Sequence, residues 1–353
     1  MIDQIRLITQ QISASRFRTP GELVAHMGAM QAQDFLGAKW AVGLRVPGST
    51  DRDIIQALND RSIVRTWPMR GTLHFVASQD VRWMLALLTP RIIARAKGRH
   101  EQLDLDSRAL AKGHELLAAM LQGGKQLTRQ EIMSTLEAAG FATANQRGYH
   151  LLWHAAQTAL ICLGAPRGTQ QTFTLLDEWV PQQKELQRDE ALAELTRRYF
   201  TSHGPATLQD FVWWSGLLVS EARAGLEAAK THLVSEDING KTYWLPRHIP
   251  KITPRSSSVH LLPPFDEYLL GYTDRSAVLQ AAHATHINPG ANGMFKPIIV
   301  VDGQVIGTWK RTITKRGVTV AFSPFSPVAA AISLALEAAA ERYATFLELP
   351  LAK

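Results

Sequence analysis

The chain has 353 residues, 46% hydrophobic and 20% charged, with 38 basic against 31 acidic side chains for a net charge of +7. That composition excludes a disordered chain, and the length exceeds what one ordinary core organises, so two to four packed units are expected. The single cysteine, Cys162, excludes intrachain disulfides and cysteine-cluster zinc sites. It lies in the apolar run Ala159-Leu160-Ile161-Cys162-Leu163, which predicts a buried, inert thiol. No apolar run approaches the ~20 residues of a membrane span. The start, Met1-Ile2-Asp3-Gln4-Ile5-Arg6, lacks the basic-then-apolar layout of a signal peptide, so a cytoplasmic, nucleoid-associated protein with no membrane contact is expected. A sequence pI near 9.6 fits a polyanionic partner, and equally a soluble enzyme that happens to be basic.

Apolar positions at Ile5, Leu7, Ile8 and Ile12 predict a short helix over 4–12. Thr19-Pro20 opens a second helix, with threonine as cap and proline at the first position; Leu23, Val24 and Met27 form its buried face. It runs into Met30-Gln31-Ala32-Gln33-Asp34. Two residues apart, the glutamines share a face only in extended chain, so they fit a clamp of paired amides where the chain leaves a helix, at its last turn or in the following loop, and otherwise the polar end of a core helix. Asp34 then caps a third helix, 35–46, before Pro47-Gly48. A helix over 51–59 precedes two β-type runs, 62–66 and 72–76, joined across Trp67-Pro68-Met69-Arg70-Gly71 as a hairpin. Helices followed by a two-stranded hairpin outline a winged helix.

The outline recurs. A basic helix over 81–97 leads to a helix at 107–122, and Thr128-Arg129-Gln130-Glu131 forms a capping box for the next. After a helix at 145–160, strands 161–163 and 172–175 flank a loop carrying Arg167. The third version has helices at 187–201, 206–215 and 220–230, then strands around the Asn239-Gly240 turn. From about residue 255 the texture becomes aromatic and proline-interrupted. Runs 297–301 and 304–309 meet at the Asp302-Gly303 turn, 318–322 adds a strand, and 328–346 a closing helix. The expected fold is therefore α+β and mainly helical. It comprises three winged-helix modules (1–80, 81–180, 181–250) and a C-terminal β-rich α+β unit (251–353).

Most chemical motifs fail on context. Asn239-Gly240-Lys241-Thr242 ends like a phosphate loop, but Ser235 stands where the first glycine belongs and a hairpin surrounds it. His150/His154 and His283/His286 have ligand-like spacing without flanking glutamate or cysteine, so neither a metal nor another cofactor is expected. Trp213 and Trp214 sit on an apolar helix and read as core. Two basic stretches remain. Arg91, Arg95, Lys97, Arg99 and His100 ride one segment with no acid between Thr89 and His100. Lys296, Lys310, Arg311, Lys315 and Arg316 surround the C-terminal hairpin. Beside groove-binding modules these read as phosphate contacts.

Several ordered segments resemble one family. They are Gln31-Ala32-Gln33, Thr66-Trp67-Pro68-Met69-Arg70-Gly71-Thr72-Leu73-His74, Ser202-His203-Gly204-Pro205-Ala206-Thr207 and Asp210-Phe211-Val212-Trp213-Trp214-Ser215-Gly216. Leu262-Pro263-Pro264-Phe265-Asp266-Glu267-Tyr268-Leu269-Leu270-Gly271-Tyr272 and Val301-Asp302-Gly303-Gln304-Val305-Ile306-Gly307-Thr308-Trp309 complete the set. Together they resemble the AlkZ-like (AlkZ/YcaQ) bacterial DNA glycosylases over nearly the whole chain. The resemblance implies three winged helices arranged as a C-shaped clamp around duplex DNA. It places the catalytic signature on Gln31 and Gln33, in the Gln–Gln form of the AlkZ branch; the YcaQ branch has aspartate second. It also implies excision of N7-alkylated guanine, with unhooking of interstrand crosslinks in some members.

Chemistry accommodates two amides. An N7-alkylated guanine is already cationic and leaves as a neutral base, so no general acid is required, and a neutral amide suffices to hold a water. With no lysine in the motif, a monofunctional hydrolase is expected. It would act as a monomer on double-stranded DNA carrying alkylated purines. Gln33 supplies a dipole where an aspartate would supply charge, which restricts the range to labile lesions. Asp34 is the rival for that charge role, against helix capping. Arg70 and His74, on the first hairpin, are candidate DNA contacts, although His74 equally fits an inward-facing strand position. Asp302-Gly303 fits either a groove probe or an ordinary sheet turn. The competing functions are a winged-helix regulator without catalysis and a protein-binding scaffold.

Overall fold

The computed structural model describes residues 1–181, 184–250, 258–290 and 293–352. The chain is mixed α+β, about 48% helix and 20% strand. It divides into two compact units, one formed by 1–54 with 192–353 and the other by 55–191. The division falls inside the first expected module: its leading helices lie in the discontinuous unit and its hairpin in the other. The expected start of a C-terminal unit at 251 lies outside the described residues.

In the discontinuous unit, helix Ile2–Thr9 is followed by Pro20–Met27, whose Thr19 and Glu22 form a reciprocal capping box. Strand Ala29–Gln31 and helix Phe35–Gly43 come next. After the intervening unit, Arg188–His203, Leu208–Ser215 and Val219–Ala229 lead to strands Leu233–Ile238 and Lys241–Pro246. Asn239 (φ +52°) and Gly240 (φ +75°) turn that hairpin as the Asn-Gly signal predicts.

A four-stranded antiparallel sheet follows, in the order Gly317–Pro324, Gln304–Thr314, Ile298–Val301, Val259–Leu262. Its last strand was not expected: only four residues long and running into Pro263-Pro264, it shows no pattern of its own and exists because Ile298–Val301 offers it an edge. Helix Ala330–Phe346 packs Phe346 against Gly43, where a Cβ would approach to 2.2 Å. Trp40 touches Tyr343 and Phe346, and its indole N–H donates to the Leu261 carbonyl at 2.7 Å. The helix that follows the glutamine pair is thereby locked to the sheet.

The continuous unit orders its strands Thr72–Ala77, Ile63–Met69, Ile161–Leu163, Thr172–Leu175, Leu127–Thr128. Helices Ser107–Leu121, Arg129–Ala138 and Arg147–Gln157 bury Leu117, Leu121, Ile132, Leu136 and Leu151 against Trp67 and Phe173. The basic helix extends from Val81 to Gln102, past the expected end at 97, because His100 is drawn into the packing. Cys162 is fully buried, which raises its thiol pKa strongly and keeps it inert.

Burial leaves several histidines uncharged. His26, His154 and His260 are each pushed down to about 4, chiefly by desolvation. The unfolded chain, with histidines near 6.5, therefore binds more protons than the native state between pH 6.5 and 4. Stability is expected to be full above pH 6.5 and to fall steadily toward pH 4. Thermal melts across that range check it; a flat Tm from pH 7 to 4.5 would contradict the neutral burial of these rings.

Candidate glycosylase site

The glutamine motif stands where helix geometry stops. Gly28 (φ +80°) terminates helix Pro20–Met27, three residues run extended, and Asp34 restarts the helix by accepting from the Gly37 N–H at 2.9 Å. Gln31 is half-buried, Ala32 buried and Gln33 exposed, so the amides flank a core methyl. The Gln31 carbonyl oxygen Oε1 is buried and accepts no hydrogen bond among the described residues. Asp34 is the helix cap, and its carboxylate also takes the Arg311 guanidinium at 3.0 and 3.2 Å.

Beneath the motif lies a buried polar layer that sequence reasoning missed. Glu267, 1% exposed, accepts from the Gln31 backbone N–H through Oε1 at 2.8 Å and from the Trp214 indole through Oε2 at 2.9 Å. His203 Nε2 stands 3.5 Å from Oε2, and burial lowers its pKa against the pull of Glu267. The ring stacks on Tyr199 at 4.8 Å. The preceding Asp266 grips Arg45 through both carboxylate oxygens at 2.7 and 2.8 Å, with both side chains essentially solvent-free. The signal was present in the sequence: two adjacent acids among Pro264, Phe265, Tyr268 and Leu269 are either exposed or paired, and only paired ones persist in a core. Trp214 is fully buried as expected, but Trp213 is 45% exposed, since the helix Leu208–Ser215 turns it outward.

A cleft of about 550 Å³ opens beside Asp34, lined by Pro264, Phe265, Met294, Phe295, Lys296 and Pro297 among others. A larger cavity of about 830 Å³, lined by Trp40, Leu44, His260 and Arg342, holds no motif residue, so size does not mark the site here.

The other candidates separate clearly. Arg95, Lys97 and Arg99 are exposed along one helix, with Arg91 half-buried. Lys310 is exposed on the hairpin, whereas Arg311, on the opposite strand face, is committed to Asp34. His74 is fully buried. Its Nδ1–H donates to the Thr72 carbonyl at 2.9 Å, which leaves Nε2 to accept from the Arg70 guanidinium at 3.4 Å. It braces Arg70 rather than meeting solvent. The Asp302-Gly303 turn packs on the first helix: the Asp302 carboxylate accepts from the Ser258 N–H, and a Cβ on Gly303 would lie 2.8 Å from that of Asp3. That is an ordinary sheet turn. His154 Nδ1 pairs with His114 Nε2 at 3.1 Å, and His283 stacks on Phe325. Among the described residues no group of three or more His, Cys, Asp or Glu side chains is placed to hold a metal. No helix among them is long and apolar enough to cross a membrane.

The family model "DNA glycosylase AlkZ-like" matches residues 24–346. The chain belongs to the AlkZ-like DNA glycosylases. A curated member of related sequence is the "Interstrand DNA cross-link repair glycosylase" of Streptomyces sahachiroi, 28% identical over 306 residues, covering 82% of this chain and 81% of that protein. The solved structure of Streptomyces sahachiroi DNA glycosylase AlkZ superposes with a TM-score of 0.78 at 23% identity, covering 99% of this chain and 98% of the other. The AlkZ-like fold thus extends over the whole chain, and DNA is the substrate that the family implies.

Proposed function

We propose that this AlkZ-like protein is a monofunctional glycosylase that hydrolyses the N-glycosidic bond of N7-alkylated guanine in duplex DNA, including one attachment of an interstrand crosslink. The observation that carries the reading is the Gln31 carbonyl oxygen at the end of an extended segment, buried and without a hydrogen-bond partner among the described residues. When the half-buried Gln31 side chain turns this oxygen out to the surface, a water donates one O–H to it, and the exposed Gln33 amide orients the same water from the other side of Ala32. The water oxygen bonds to C1′ as the C1′–N9 bond breaks. The bonding electrons neutralise the cationic base, and the extra proton passes to solvent. Proximity and orientation supply the rate, since an amide is no base at neutral pH. The relative's curated name, a cross-link repair glycosylase, supports the crosslink substrate.

In this reading the three helix-and-hairpin modules are winged helices that contact duplex DNA, and the protein acts as a monomer. Arg70 braced by His74, together with Arg91, Arg95, Lys97, Arg99 and Lys310, meets phosphates, while Arg311 fixes Asp34. Each exposed cation that neutralises a phosphate contributes about 0.9 to the slope of log K against log salt. The double variant Arg95→Ala/Arg99→Ala is therefore expected to lower that slope by about two. An unchanged slope would remove this helix from the interface. The function itself is tested by base release from a duplex carrying one N7-methylguanine: free base and an abasic site are expected. Tight binding with no release from this duplex or from a crosslinked one would favour a DNA-binding regulator.

A further inference from the structure

Glu267 is a buried carboxylate with no assigned task, and it touches the glutamine motif itself. Gln31 ends its strand, and the direction of its side chain depends on how its own peptide plane is held. The N–H of that plane donates to Glu267 Oε1 at 2.8 Å. Oε2 is occupied by the Trp214 indole at 2.9 Å. Both donors are obligate: neither a backbone amide nor an indole can reverse its bond, so both positions demand an acceptor.

The carboxylate is itself rigidly mounted. Asp266 caps the short helix Glu267–Leu270 by accepting from the Tyr268 N–H at 2.9 Å, and the Glu267 carbonyl accepts from Gln10 Nε2 at 3.3 Å. Asp266 is clamped by Arg45, which also bonds Gln10 through Nε and Nη2. Phe265, immediately before these acids, holds φ at +61°, a strained backbone for a bulky residue. An unbroken chain of bonds therefore runs from the core of the unit to the Gln31 amide plane.

We propose that Glu267 is the positioning residue of the glycosylase site, acting by fixing the Gln31 peptide so that its side-chain carbonyl meets the attacking water. This rests on the hydrolytic role proposed above for Gln31. The Glu267→Gln variant keeps size and one acceptor but sets an NH2 group against one of two obligate donors. A misplacement of about 1 Å at a reacting group costs about 100-fold in rate. The single-turnover rate of N7-methylguanine release is therefore expected to fall by about 10–100-fold, while duplex Kd stays within about threefold.

Because the effect passes through Gln31, Glu267→Gln in a Gln31→Ala background is expected to add nothing. A general structural defect would lower the rate in both backgrounds. Should Glu267→Gln fail to fold, Glu267→Asp, which withdraws the carboxylate by one methylene, reads the same two ratios. Wild-type rate in the folded single variant, or an equal loss in both backgrounds, overturns the proposal. The parent reading is judged separately: it fails if the wild type releases no base, if it nicks the strand without alkali, or if Gln31→Ala is unimpaired.

Discussion

Gln31→Ala is expected to lower the single-turnover rate of base release by about 100-fold or more, with duplex affinity near wild type. The magnitude follows from what the side chain does. It is half-buried, its carbonyl oxygen has no hydrogen-bond partner among the described residues, and its peptide plane is anchored by Glu267. An acceptor with no competing bond gives up nothing when it turns to meet the water, and alanine leaves nothing in its place. Gln33→Ala is expected to follow in the same direction, and Gln33→Asp to extend release toward lesions with a stronger glycosidic bond by adding charge beside the cationic sugar. Rates against a titration of duplex affinity check both. Unchanged rates for both alanine variants would leave the motif without a catalytic role. Asp34 is a poor substitute, because its carboxylate already caps a helix and holds Arg311.

The second large effect is on stability. Asp266→Ala is expected to destabilise the protein by about 3–5 kcal/mol, because it strands the Arg45 guanidinium in a solvent-free core. Arg45 keeps its bonds to the Ala41 carbonyl and to Gln10, but those neutral acceptors do not replace a bidentate carboxylate. Removing both partners with apolar residues of similar volume, Arg45→Met/Asp266→Leu, is expected to cost less than the single change. Urea unfolding midpoints decide it; a single variant as stable as the wild type would show that the pair does not hold the layer beneath the motif.

The elements with local causes were legible in the sequence. Thr19-Pro20, Thr128 with Glu131 and Asp34 each mark a helix start by supplying an acceptor to an orphan N–H, and all three cap as read. The Asn-Gly and Asp-Gly pairs turn hairpins because both residues occupy left-handed backbone. Spacing placed Gln31 and Gln33 at the last turn of a helix or just beyond it, and the strand Ala29–Gln31 puts them beyond it. The features set by distant partners were not legible. Strand Val259–Leu262 depends on an edge some forty residues away, and the unit boundary within helix Asp51–Asn59 leaves no local mark. The Glu267 contact spans 236 residues, so no window along the chain contains both of its ends.

The hydrolysis of a cationic nucleotide is assigned to paired amides on a well-held strand end. Its most direct test is base release by the wild-type protein from duplex DNA bearing a single N7-methylguanine, with the products resolved before and after alkali. The expected result is free N7-methylguanine and a strand that stays intact until alkali breaks it at the abasic site. Binding of the same duplex with no base released, or a strand nicked without alkali, would contradict it.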